Sequence, residues 1–463
     1  VKETPDFKKL FQPASMAVIG ASSDKFKGGG RFLRGFIDDK FKGKLYPVNP
    51  AKKQVMGLKC YPSILDIPGK VDLAYIAVPS GAVPGVITEC SQKGVEFAVV
   101  HSAGFSELGE DGKKLEAKLL KAVKNGKPRI IGPNCMGLYS PSAHINTVVI
   151  DHYPDDKSGP VSFIAQSGWV PHNVLQMGHQ RGIRFNTAMS IGNQSDITLE
   201  NLLEHLIDDE KTKVISFYIE GLKYASDFLE LAKRATRKKP VIVWKGGRSN
   251  IGSRSVASHT GSLAGNNTIF EAAMKQCGVS IAYNIEELID LMAAFTCPCL
   301  PKGTKLGILA ESGGGAVAGA DSAFEFGLDI PVLSKARQQE LTDRLKGVIP
   351  PFSAPKNPID LVWPPMENRV KILVDCAEIL LKEVDSLIIM DYAVFNSDYV
   401  KGMQDLQNRV RKPVFLAPCF PAKRQAELAK LTLKGVPSFT IPERAVKAMA
   451  TAVKYSQYVQ SIK

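Results

Sequence analysis

The sequence predicts an α/β protein made of three parallel α/β units in series. Three observations predict it. Short apolar runs repeatedly lead through a glycine-containing turn into an amphipathic stretch, the alternation that builds a parallel sheet with helices on both faces. A polar stretch, Asp151 to Pro160, interrupts that pattern once, and the pattern restarts after it. The chain has 463 residues, which at roughly 100 to 200 residues per domain accommodates about three.

In order along the chain, Met16 to Ile19, Lys44 to Val48, Leu73 to Val78, Phe97 to His101 and Arg129 to Ile131 read as buried strands. Helices are expected near Arg31 to Ile37, Val83 to Gln92 and Lys113 to Lys124, giving a doubly wound sheet. After the linker, the expected strands are Val161 to Ile164, Asn186 to Ser190, Val214 to Ile219 and Val241 to Trp244, a second unit of flavodoxin-like kind. Pro298 to Gly303 punctuates its end. Lys305 to Leu309, Ser386 to Met390 and Val414 to Ala417 supply the strands of a third. The expected boundaries are 1–153, 154–300 and 301–463.

Composition narrows the function classes. Hydrophobic residues at 44% and charged ones at 23% describe a globular chain able to bury real cores. No run of about 18 apolar residues is present and the first residues lack a signal-type apolar segment, so the expectation is a cytoplasmic protein with no membrane contact. The net charge of +13 raises nucleic acid as a partner, but the densest cations, Lys233, Arg234, Arg237, Lys238 and Lys239, close a helix where they suit its dipole. Small polyanions are the expected ligands instead, and nucleic acid is not. Of 8 cysteines only Cys297 and Cys299 lie close together, so neither a zinc site nor any other bound metal is expected.

The chemistry concentrates at strand ends, where ligands of open α/β sheets gather. Gly20-Ala21-Ser22 follows the first strand and leads through Lys27 into Gly28-Gly29-Gly30, a turn and helix start suited to a phosphate-bearing ligand. Its spacing is not G-x-G-x-x-G, so the dinucleotide fingerprint is absent. Val78-Pro79, Ser102-Ala103 and Asn134 end later strands and form the other walls of the crevice. Cys135 beside Asn134 has no histidine near it in sequence and reads as a small buried side chain rather than a catalytic thiol.

In the second unit Gln166-Ser167-Gly168 opens a helix whose amides would stabilise a phosphoryl group. Ala165 stands where a serine nucleophile's elbow needs glycine, which makes a serine hydrolase a poor reading. Glu220 ends a strand and can accept a hydrogen bond from an imidazole, fixing its tautomer. His259 lies in Ser258-His259-Thr260-Gly261-Ser262-Leu263-Ala264-Gly265, a small and polar run expected to be a mobile loop. A histidine there can attack phosphorus at neutral pH, because its pKa near about 6.5 leaves one nitrogen lone pair free. The octapeptide alone does not separate a nucleophile from an ordinary solvated side chain.

Together with Tyr46-Pro47-Val48-Asn49-Pro50, Gly57-Leu58-Lys59-Cys60-Tyr61 and Lys356-Asn357-Pro358-Ile359-Asp360-Leu361, these motifs resemble the α subunit of NDP-forming acyl-CoA synthetases, relatives of succinyl-CoA synthetase. The resemblance runs through the whole chain. It implies a Rossmann-like CoA-binding domain followed by two flavodoxin-like, succinyl-CoA-synthetase-like domains. It implies an acid-thiol ligase that interconverts acyl-CoA, ADP and phosphate with a small carboxylic acid, CoA and ATP. In that scheme His259 carries the phosphoryl group, Glu220 orients it, and Gln166, Ser167, Gly168 and Gly261 bind the phosphoryl group. Gly20, Ala21, Ser22, Lys27, Asn49, Val78, Pro79, Ser102, Ala103 and Asn134 would bind coenzyme A.

No segment here resembles the family's ATP-grasp module, so ATP/ADP and Mg2+ would sit on a β subunit or fused β part, in the family's usual α2β2 assembly. Two departures stand out. Trp169 replaces a small residue after the serine-glycine turn, and Ala310-Glu311-Ser312-Gly313-Gly314-Gly315 replaces a threonine-asparagine type of segment. A reshaped acyl pocket is the expected consequence of the first. The rival reading is a catalytically silent CoA-binding module of a fused acetyltransferase, against which the retention of both His259 and Glu220 argues. An NAD-dependent oxidoreductase is a weaker rival still, because the fingerprint is missing.

Overall fold

The computed structural model describes residues 3–148, 157–260, 266–349, 356–362, 364–392, 397–418 and 424–462. The chain divides into two compact units, one of residues 1–176 and 184–281, the other of residues 177–183 and 282–463.

The first unit contains two large sheets. Its first sheet has β1 (Ser15–Ile19) and β2 (Lys44–Val48), then β5 (Leu73–Ile76), β6 (Phe97–Val100) and β7 (Arg129–Ile131); a small antiparallel hairpin, β3 (Gln54–Val55) with β4 (Leu58–Lys59), stands between. The order is β2-β1-β5-β6-β7 and every pairing is parallel. Every residue of β1, β5 and β6 is buried, as continuous apolar runs in a sheet covered on both faces should be. The helices Gly28–Asp38, Val83–Lys93 and Glu110–Ala122 cover it where the sequence places them.

The second sheet is built from β8 (Gly137–Ser140), β9 (Ile145–Asn146), β10 (Val161–Ala165), β11 (Phe185–Ser190), β12 (Val214–Ile219), β13 (Val241–Lys245) and β14 (Ser280–Ala282), in the order β14-β13-β12-β10-β11-β8-β9. The pairings among β10 to β13 are parallel, as expected. The sheet is nevertheless mixed, because β8 runs antiparallel to β11 and β9 antiparallel to β8. Residues 137–146 therefore leave the last strand of the first sheet and complete the second. A buried knot fastens this crossing: the Tyr75 hydroxyl and Thr147 Oγ1 lie 2.9 Å apart, and the Leu138 amide donates to both at 3.0 Å. Gly137 sits at φ +94°, and a Cβ there would fall 2.1 Å from the Tyr75 hydroxyl oxygen, so only glycine fits.

The second unit has one parallel sheet of β15 (Leu306–Ala310), β16 (Ile359–Asp360), β17 (Ser386–Met390) and β18 (Val414–Leu416), ordered β16-β15-β17-β18. Directly after β15, the unusual Glu311 is fully buried and receives Nε and Nη2 of Arg369 at 2.6 and 2.8 Å and the Tyr392 amide at 2.7 Å. The acidic departure at this strand end is thus a buried, fully engaged ion pair. Among the described residues no helix is long and apolar enough to cross a membrane.

Candidate active site

Parallel pairing brings the carboxyl ends of the first sheet to one edge. Ile19 stands beside Val48 and Ile76, and Ile76 beside Val100. Gly20, Ala21, Ser22, Asn49, Val78, Pro79, Ser102, Ala103 and Asn134 follow these strand ends, so the structure gathers them on that edge. They also hold one another. Asn49 Nδ2 donates to the Ala21 carbonyl at 2.9 Å, the Ser102 hydroxyl to the Val78 carbonyl, and the Asn134 amide to the Ser102 carbonyl at 3.0 Å. Lys27 is exposed and precedes the helix Gly28–Asp38 as its cap residue. A Cβ on Gly29 would lie 2.0 Å from the Gly20 carbonyl oxygen, and one on Gly30 would lie 2.0 Å from that of Asp24. The helix start therefore packs directly against the turn, and the Gly30 and Arg31 amides donate to the Lys27 carbonyl at 3.0 and 2.9 Å.

A second group of predicted residues lines a cavity of about 440 Å³. Gln166, Ser167, Gly168 and Trp169 come from the turn after β10, Glu220 from the end of β12, and Gly192 and Asn193 from the turn after β11. Asn134, Cys135 and Met136 reach it from the end of the first sheet. Gln166 is locked: its Oε1 accepts from the amides of Glu220 and Gly221, the latter at 3.0 Å, and its Nε2 donates to the Gly221 carbonyl at 2.6 Å. The turns after β10 and β12 are thereby tied to each other. Gly168 must be glycine for Met136 to pack, since a Cβ would meet Met136 Cγ at 2.9 Å.

Glu220 is buried rather than solvated, only 7% exposed. The Tyr218 hydroxyl bonds its side chain, and burial followed by the Glu220 charge pushes the Tyr218 pKa up. Lys245 Nζ donates to the Glu220 carbonyl at 2.8 Å and to that of Gly246. Burial lowers the Lys245 pKa and the Glu220 charge opposes it. A carboxylate set in this way is a fixed acceptor in the lining of the cavity.

His259 belongs to the last turn of the helix Asn250–Thr260, so Ser258, His259 and Thr260 are helical where a loop was expected. The helix starts on a cap, the Gly252 amide donating to Ser249 Oγ at 3.0 Å, and within it the Ser255 hydroxyl donates to the Ile251 carbonyl one turn back at 3.2 Å. The His259 side chain and the whole of Gly261 lie outside the described residues. Cys135 is buried with its thiol pushed up to about 12 by burial, an inert side chain as expected.

Of this cavity's lining, the sequence reading did not single out Arg31, His101, Val148, His172, Gly192 or Asn193. His101 Nδ1 donates to the Cys135 carbonyl at 2.9 Å, and its ring meets Phe32 edge-on at 4.7 Å. Burial pushes its pKa down; the Cys135 carbonyl opposes this and the Arg31 charge adds to it. The only signal in the sequence was a polar residue closing the apolar run Phe97 to His101. Among the described residues no group of three or more His, Cys, Asp or Glu side chains could hold a metal ion.

Comparison with known proteins adds the following. A CoA binding domain model matches residues 14–141, and a succinyl-CoA ligase like flavodoxin domain model matches residues 158–295. The chain is 36% identical over 459 residues to the acetate–CoA ligase [ADP-forming] II subunit alpha of Pyrococcus furiosus, covering 97% of this chain and 98% of that one. It is 35% identical to the acetate–CoA ligase [ADP-forming] of Methanocaldococcus jannaschii, covering 99% of this chain and 66% of that longer protein. A solved structure of the dinucleotide forming acetyl-coenzyme A synthetase 1 of Ca. Korarchaeum cryptofilum, in complex with phosphate and ADP, matches with a TM-score of 0.87 at 34% identity, covering 99% of each chain.

Proposed function

Since the chain belongs to the family of ADP-forming acyl-CoA ligase α subunits, we propose that its 440 Å³ cavity is where an acyl phosphate forms and hands its phosphoryl group to His259. The chain is an acid-thiol ligase component that uses coenzyme A and nucleotide. In the proposed cycle phosphate attacks the acyl carbon of the thioester, and the coenzyme A thiolate leaves with a proton. A nitrogen of His259 then attacks phosphorus, releasing the carboxylate. Transfer from phosphohistidine to ADP completes ATP.

Each step has residues suited to it. The first-sheet edge from Gly20 to Asn134, with Lys27, is proposed to hold coenzyme A. The Gln166-Ser167-Gly168 turn and the helix Val170–Gln180 after it offer amides to the phosphoryl oxygens, with Gly261 joining them. Glu220 is the proposed acceptor that orients the imidazole. The observation that carries the reading is the meeting of Gln166, Ser167 and Glu220 in one cavity that the first sheet also enters.

The proposed domains are 1–153, 154–300 and 301–463, with residues 137–146 lent to the second sheet. An ATP-grasp β partner, separate or fused, is proposed to hold ADP and its Mg2+, in an α2β2 complex within the cytoplasm. The small carboxylic acid need not be acetate. A silent module of an acetyltransferase is not favoured, because the relatives named above are ligases.

The test is phosphorylation itself. The chain with its partner and radiolabelled ATP should acquire an acid-labile, base-stable protein phosphate that His259→Ala abolishes. Absence of label in a preparation that turns over acyl-CoA would sink the reading.

A further inference from the structure

One charge in the cavity, Arg31, lies outside the groups proposed above for coenzyme A and the phosphoryl step. Arg31 is half-buried, and burial lowers its pKa. Among the described residues its guanidinium has no hydrogen-bond or ion-pair partner. Its neighbour Arg34, by contrast, pairs with Asp38 at 2.7 Å. A guanidinium withdrawn from water without a carboxylate is costly, and an arriving oxyanion relieves that cost through its planar fork of donors.

The other participants already have proposed binding groups: the Gln166 to Gly168 helix start for the phosphoryl oxygens, and the first-sheet edge with Lys27 for coenzyme A. Trp169, Met136 and Val148 line the same space, and an acetyl group would fill only a small part of about 440 Å³.

We infer that Arg31 is a substrate-binding, specificity-determining residue that holds a second oxyanion at the far end of the acyl chain, so that the preferred acid is a dicarboxylate rather than a short monocarboxylate. This rests on the ligase reading above. Arg31 also borders a neighbouring cavity of about 680 Å³ with Lys25 and Phe26, which makes a coenzyme A phosphate the competing anion.

The experiment compares acids matched in chain length, succinate against butyrate and glutarate against valerate, in acyl-CoA formation by the chain with its ATP-grasp partner. Wild type should favour the diacid in kcat/KM by roughly 10- to 100-fold, the worth of one charge-assisted hydrogen-bonded pair. Arg31→Met should erase that ratio while keeping turnover of the monoacid and the KM for coenzyme A, and Arg31→Lys should restore part of it. No preference in wild type, an unchanged ratio in Arg31→Met, or a rise in the coenzyme A KM alone overturns the inference. If no acid is turned over, the ligase reading fails separately, and thermal stabilisation by succinate or glutarate alone still decides: it must occur in wild type and vanish in Arg31→Met.

Discussion

A carboxylate that ends a strand ordinarily points into water; Glu220 instead lies at 7% exposure, bonded by Tyr218 and backed by Lys245. The proposed role as an orienting acceptor predicts that Glu220→Gln slows phosphorylation of His259 by roughly 10²-fold or more while coenzyme A binding stays near wild type. Rapid-quench labelling and calorimetry read the two, and equal losses would make Glu220 a structural residue. His101 yields a pH prediction. Its native pKa is lowered, so below about pH 6.5 the unfolded chain binds the extra proton, and stability present above that pH is lost as pH falls through the native value. Urea unfolding between about pH 7 and pH 5 should therefore show a shallower loss in His101→Gln than in wild type. At this scale Gln166, Ser167, Gly168 and Glu220 were legible because each closes or follows an apolar run. Arg31, His101 and His172 were not, because only the approach of two sheets makes them neighbours.

At the scale of elements, the long parallel strands were legible to within one or two residues, since burial on both faces demands unbroken apolar runs. The short strands β8, β9, β14 and β16, of two to four residues, carry no period that could be read. Ser258 to Thr260, the last turn of a helix, carry a loop's composition because small polar residues flank His259, yet a serine bonded to local backbone, as Ser255 is, remains compatible with a helix. The glycine turn after β1 was legible as a turn into a helix start, but the closeness of its packing was not. A methyl at Gly29 would press on the Gly20 carbonyl oxygen from 2.0 Å. Gly29→Ala should cost about 1–3 kcal/mol of stability and raise the KM for coenzyme A more than that for the acid, as denaturation and steady-state kinetics would show.

In the second unit the buried Glu311–Arg369 pair occupies a strand end of the kind that elsewhere faces ligand, and Glu311→Ala, by stranding the arginine, should cost about 3–5 kcal/mol in urea unfolding of that unit. Phosphorylation of His259 should survive that change wherever the protein remains folded. In the first unit, strands β8 and β9 come from the chain segment of one sheet and close the edge of another. Recombination between relatives therefore has a forbidden breakpoint. A crossover in the polar linker near residue 153 would part β11 from the strand that covers Ala188 to Ser190, and the progeny would inherit a raw sheet edge open to self-association. A crossover before Gly137 would keep the edge covered but divide Tyr75 from Thr147 and Leu138. New acid specificities in this lineage should accordingly arise by substitution around the cavity, with both sheets handed down as one heritable piece.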